Sequence, residues 1–142
     1  MGDLVRPRRQ RGERTLHLGA IVTDLGILSD DRVQLAAALK QAASGHDFVL
    51  TSGGVSTGEA DHVRDAVETI GTLVFWRVAI KPGRPVAMGV IGSCAFVGLP
   101  GNPVAAFVTF VRVVRPLILR LSGASAHPLG ALPVRASFSY SK

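Results

Sequence analysis

With a single cysteine, Cys94, in 142 residues, the chain can form no internal disulfide, and a reducing compartment is the expectation. Cys94 falls in the apolar run "CAFVGL" and reads as a buried, inert thiol. Histidine is sparse and scattered, at positions 17, 46, 62 and 127. With one thiol, these residues form no cluster of transition-metal ligands. No Ser/His/Asp arrangement stands out for nucleophilic catalysis. Long apolar runs are also lacking. The most hydrophobic stretch, "NPVAAFVTFVRVVRPLILRLSG" from Asn102, is interrupted by Arg112, Arg115, Pro116 and Arg120, which argues against a membrane span. Nothing at the start reads as a secretory signal. These absences together point to a cytoplasmic protein with no membrane partner.

What is present fits one folded core, since 47% of the residues are hydrophobic and 18% charged. The formal net charge is +6. Half of it comes from Met1 to Arg14, where five arginines face only Asp3 and Glu13. Without interleaved aromatics or a repeated basic spacing, this reads as an Arg-rich disordered segment over residues 1–17 rather than a nucleic-acid contact.

From residue 20 onward, short apolar runs alternate with amphipathic segments, the pattern of a mostly parallel sheet covered by helices. "AIVTDLGIL" (Ala20 to Leu28) predicts a strand leaving through Gly26. Ser29 is then placed to cap a helix from Asp30 to Ala43, with Leu35, Leu39 and Ala42 on one face. "FVLTS" predicts a strand buried on both faces. Val63, Ala66, Val67 and Ile70 mark a second helix that ends at Gly71. "TLVFWRVAI" (Thr72 to Ile80) predicts a third strand, and "PVAMGVI" with "CAFVGL" a hairpin around Gly92-Ser93. Trp76, in the third of these, reads as packing. The last helix is capped by Asn102, takes Pro103 at its first position, and carries Phe107, Val111, Val114, Ile118 and Leu121 as one stripe with a break at Pro116. Beyond Gly123 the texture turns to small residues and prolines, followed by the alternating "VRASFSY". The expected division is residues 1–17, a domain over 18–123, and a linker with one strand over 124–142.

Three glycine-containing turns follow strands: "SGGVSTGEAD", "IKPGRP" and "GLPGNP". Ligands of open α/β sheets settle at the carboxyl ends of strands, where backbone N–H groups and helix N-termini hold anions. Gly53 and Gly54 permit close backbone approach, and Ser56 with Glu59 also has the spacing of a capping box. Arg77, Lys81 and Arg84 could either hold an oxyanion or form a solvated basic edge. Pro100 and Pro103 stiffen the turn around Gly101-Asn102, either as an anion seat or as an ordinary helix cap. Asp30 and Asp31 suit a first helical turn. Alternatively, Asp30 and Asp61 converge on one hard cation such as Mg²⁺.

Taken in order and at their intervals, "TSGGVSTGEAD", "AIKPGRP" and "GLPGNPVAAFVTF", with "DLGILSDD" upstream, resemble the MoeA family of molybdopterin molybdotransferases, including the gephyrin E domain. The resemblance covers about Leu16 to Gly123. Adenylyltransferases of the MogA type share the fold and the SGG or TGG turn but are not expected to carry KPG followed by GLPGNP. The resemblance implies a MogA-like three-layer α/β sandwich that inserts molybdate into adenylylated molybdopterin, releasing AMP in a Mg²⁺-dependent reaction. It assigns Asp30 and Asp61 to catalysis and metal. Gly53, Gly54 and Ser56 fall to the pterin nucleotide, Arg77, Lys81 and Arg84 to anionic substrate groups, and Pro100, Asn102 and Pro103 to the molybdate side. Asp61 would then handle the metal beside a ligand admitted by the glycines.

The family pattern also places a strand and a "TGDE"-like turn ahead of this domain and a β domain behind it. Met1 to Thr15 does not resemble that strand, so an N-terminally truncated domain with an open sheet edge is expected. A second copy or a complementary N-terminal chain could cover such an edge. The alternatives to transferase activity are a non-catalytic fragment that retains molybdopterin-nucleotide or partner binding and, less favoured, MogA-like adenylyl transfer.

Overall fold

The computed structural model describes residues 2–6, 18–53, 62–77 and 85–125, with isolated positions 130, 133, 135 and 137 beyond them. Six strands, β1 (Gly2–Arg6), β2 (Ile21–Asp24), β3 (Phe48–Ser52), β4 (Thr72–Arg77), β5 (Pro85–Ile91) and β6 (Cys94–Leu99), form one sheet in the order β2-β1-β3-β6-β5-β4. On one face lie α1 (Arg32–Ser44) and α2 (His62–Ile70). On the other lies a rod built of α3 (Pro103–Thr109), a π-helical turn (Phe110–Val114) and α4 (Arg115–Leu121). The three-layer α/β architecture is as expected. The sheet is mixed rather than mostly parallel, because β3 and β6 make the one parallel pair among the described strands.

Strand β3 shows why the middle layer is so apolar. Val49 packs with Leu39, Val67 and Phe96 under α1 and α2, whereas Phe48 and Leu50 pack with Val97, Val114 and Ile118 under the rod. Alternate side chains therefore enter two separate cores, and a strand covered on both faces has no place for polar residues. Its burial is complete from Phe48 to Thr51 and ends at Ser52. The hairpin forms as expected, with Ile91 opposite Cys94 across Gly92-Ser93. In β5, a Cβ on Gly89 would lie 2.3 Å from the Thr72 carbonyl oxygen, so only glycine lets β4 approach there.

Three expectations need correction. Residues Gly2–Arg6 are a strand, paired antiparallel to β3 on one side and β2 on the other. The arginines dominate the composition of residues 1–17 and mask the short "GDLVR" segment, which satisfies its backbone on both edges. On that side β3 is therefore paired within the chain. The cap of α1 is Asp31, whose Oδ1 accepts from the Gln34 amide at 2.8 Å, while Ser29 Oγ accepts from the Asp31 amide. In the rod, the buried positions are Ala105, Thr109, Val114 and Ile118, with Phe107 69% and Leu121 48% exposed. The π-helical turn inserts one residue between Thr109 and Val114, so a stripe read at uniform α-helical spacing drifts off the sheet. That turn lies just ahead of Pro116, which has no N–H to continue the ladder, so the expected break is present.

The expected disorder over residues 7–17, the third strand beyond Arg77, the Ser56/Glu59 capping box and the alternating segment "VRASFSY" fall wholly or largely outside the described residues. No helix among the described residues is long and apolar enough to cross a membrane.

Candidate functional site

Strand direction decides where the turns lie. The pairings make β2, β3, β4 and β6 run one way and β1 and β5 the other. Ser52 is level with Leu99, and Arg77 pairs with Pro85, so the segments that follow β3, β6 and β4 leave from one edge of the sheet. Two of these segments meet. The Gly53 amide donates to the Leu99 carbonyl at 3.1 Å, and a Cβ on Gly101 would lie 3.8 Å from the Gly53 Cα. Gly53 has φ +82°, a left-handed conformation that costs other residues about 1–2 kcal/mol. The space where its side chain would point is open. The glycine therefore sets both the turn and the clearance beside it.

Helix α3 begins within this edge. Asn102 Oδ1 accepts from the amides of Val104 and Ala105, at 3.0 and 3.1 Å, and Pro103 contributes no N–H. The first three helical positions thus have no uncommitted amide. The anion seat expected at this N-terminus is filled by its own cap, and what the turn offers a ligand comes from Gly101 and the paired prolines. Pro100 is buried, whereas Asn102 and Pro103 are exposed.

Asp30 is exposed in the segment between β2 and α1. Its neighbours serve the backbone: Asp24 Oδ1 accepts from Gly26 N at 2.7 Å, and Asp31 caps α1. Arg32 Nη2 donates to Thr69 Oγ1 at 3.3 Å, tying the start of α1 to the last turn of α2. Among the described residues no group of three or more His, Cys, Asp or Glu side chains converges. Gly54, Ser56, Asp61, Lys81 and Arg84 lie outside the described residues, and Arg77 is placed as the last residue of β4. The structure thus brings together Gly53, Leu99 and Gly101, with Pro100 and Asn102 beside them in the chain, and leaves Asp30 on the loop after β2.

Two residues at this edge escaped the sequence reading. Gly101 is read from the sequence only as part of the turn that Pro100 and Pro103 stiffen, although a glycine between the two prolines of "LPGNP" marks a backbone held for close approach. Thr51 was absorbed into an apolar strand, although its alternation with Val49 places its hydroxyl beneath the α1–α2 layer. Away from the edge, Cys94 is 1% exposed, and burial first, then the nearby Asp47 charge, pushes its thiol up to about 11. This is the inert thiol expected from "CAFVGL".

Comparison with known proteins agrees with this arrangement. A family profile described as "Probable molybdopterin binding domain" matches residues 13–120. The chain is similar to a molybdopterin molybdenumtransferase of Haemophilus influenzae, 50% identical over 102 residues that make up 72% of this chain and 25% of that protein. It is 35% identical over 115 residues to gephyrin of Dictyostelium discoideum, covering 70% of this chain and 16% of that one. The crystal structure of the molybdopterin biosynthesis MoeA protein from Pyrococcus horikosii superposes with a TM-score of 0.62 at 35% identity, over 71% of this chain and 25% of that chain. The chain thus spans a quarter or less of the length of these relatives. With a sheet edge of converging glycine turns and a profile match over most of its length, the chain belongs to the molybdopterin-binding domain family of molybdenum cofactor biosynthesis, on its MoeA and gephyrin-like side.

Proposed function

We propose that this domain serves a molybdopterin molybdotransferase reaction, in which molybdate enters adenylylated molybdopterin and AMP is released. The observation that carries the reading is the meeting of the turns after β3 and β6 at the Gly53–Leu99 hydrogen bond, on the edge from which the basic turn after β4 also leaves. A nucleotide-bearing substrate is polyanionic. It needs backbone that can approach its phosphates closely, and cations that favour the charged form. Gly53 and Gly54 supply the approach, Ser56 a hydroxyl, and Arg77, Lys81 and Arg84 the positive charge. Pro100, Asn102 and Pro103 form a stiff wall on the side where molybdate, an oxyanion substrate, would rest.

Mg²⁺ fits the donor chemistry of Asp30 and Asp61. Of Asp24 at the end of β2 and Asp30 and Asp31 in the loop that follows, Asp24 and Asp31 are used by backbone amides and Asp30 by none of the described hydrogen bonds. A hard cation held there would neutralise phosphate charge. The second reading is a binding module without turnover.

AMP release from adenylylated molybdopterin, molybdate and Mg²⁺ by the purified chain separates the two readings. Release that Asp61→Ala abolishes supports the transferase. Tight binding without release supports the binding module instead, and the absence of both release and binding overturns both readings.

A further inference from the structure

The rod of α3, the π-helical turn and α4 has a composition that a solvent-facing helix does not need. Between Pro103 and Leu121 there is no Asp, Glu, Lys, Asn, Gln or Ser. Its polar side chains are Thr109, which is fully buried, and Arg112, Arg115 and Arg120. A helix that is apolar all round belongs in an interior. The sheet covers only one of its faces, where Ala105, Thr109, Val114 and Ile118 are buried. Positions midway between these point away, so Phe107, Arg112, Pro116 and Arg120 form an outer ridge about 20 Å long. Phe107 is 69% exposed and Val104, beside it, 63%. The π-helical turn helps to build this ridge. In an unbroken α-helix Arg112 would follow Ala105 by two turns and face the sheet, whereas the inserted residue turns Val114 inward and leaves Arg112 exposed. Among the described residues, the three arginines make no hydrogen bond or ion pair. The carboxylates of Asp31, Asp65 and Glu68 belong to the helical layer on the opposite face of the sheet.

We propose that this ridge docks an acidic amphipathic helix of a partner protein, with apolar side chains against Val104 and Phe107 and carboxylates on Arg112 and Arg120. Charge selects the occupant. The rod of a second copy would bring the same three cations, and residues 126–142 contain no acidic side chain, so neither complements the ridge. Composition selects the class. Protein interfaces are enriched in aromatic residues and arginine and depleted in lysine and glutamate, which is the balance found here. Faces that bind nucleic acid are more polar and far more basic. A helical partner fits because helices pack by interlocking ridges, and its anchors recur at the spacing of the rod's own side chains. The proposal is independent of the transferase reading, since no residue of the ridge is assigned to substrate.

The test is fluorescence anisotropy of a labelled synthetic peptide with leucine at the a and d positions of its heptads and glutamate elsewhere, beside a counterpart with lysine for glutamate. The full chain should bind the glutamate peptide and not the lysine peptide. Phe107→Ala and Arg112→Glu should each weaken that binding by about tenfold. Both side chains are exposed, so the melting temperatures should stay at the wild-type value. Lys40→Glu, the same charge reversal on α1, should bind as wild type does. Failure of the glutamate peptide to bind would overturn the proposal. Equal losses from Arg112→Glu and Lys40→Glu would also overturn it, by reducing the binding to net charge. Self-association that Phe107→Ala abolishes, seen by sedimentation, would assign the ridge to a second copy instead. Tighter binding to anionic phospholipid vesicles than to the peptide would assign it to a membrane surface, and either result would likewise overturn the proposal.

Discussion

At the residue scale, the account rests on a few backbone conformations. Gly53→Ala places a Cβ in open space but at φ +82°, so it should destabilise the fold by about 1–2 kcal/mol and weaken nucleotide binding beyond what stability explains. Gly101→Ala meets only an ordinary contact at 3.8 Å, so its melting temperature should stay close to wild type, while ligand approach beside Gly53 is hindered. Denaturation curves paired with binding titrations check both. Cys94 gives a prediction on pH. Its folded thiol is raised from 9.0 to about 11, so the protonated form is preferred in the native state. The stabilisation is complete below pH 9 and is lost as pH rises through 11. Between those values, wild type should lose more stability than Cys94→Val. At pH 8, a thiol reagent should label the protein only after unfolding.

At the scale of elements, caps and bulges decide what the pattern can reveal. Asn102 bonds two amides, so Asn102→Ala should cost about 1 kcal/mol, read as a lower denaturation midpoint. It would also free those amides, so any anion affinity at the start of α3 should rise rather than fall. The elements from α1 to α3 were legible because each rests on local spacing: Leu35, Leu39 and Ala42 on one helix, Val63, Ala66 and Val67 on another, and Gly92-Ser93 between two apolar runs. The rod was read only in part. A periodic stripe assumes a constant number of residues per turn, and the π-helical turn breaks that assumption between Thr109 and Val114. The cap of α1 was misread because "LSDDR" offers three side chains able to cap, and only the backbone path selects Asp31.

At the scale of the whole molecule, strand order was the least legible feature, because pairing between distant segments leaves little local trace. The placement of Gly2–Arg6 between β2 and β3 is the clearest case, with Val5 opposite Val22 on one side and Phe48 on the other. β2 joins the sheet through β1 alone. Deletion of residues 1–6 should therefore detach β2, expose the edge of β3 and promote self-association, a result that light scattering and circular dichroism would show. A soluble, monomeric and fully cooperative deletion variant would contradict the topology. The site was legible as motifs but not as geometry. "SGG" and "LPGNP" are 46 positions apart, counted from Gly53 to Leu99, and only the parallel pairing of β3 with β6 brings them together. The central claim is that this shared edge receives the substrate. Amide chemical-shift mapping during titration with adenylylated molybdopterin tests it most directly. The account predicts the largest shifts at Gly53 and from Leu99 to Asn102, with smaller ones at Thr51 and Gly98. Shifts confined to α1 or to the outer face of the rod, with the Gly53 and Gly101 amides unmoved, would contradict it.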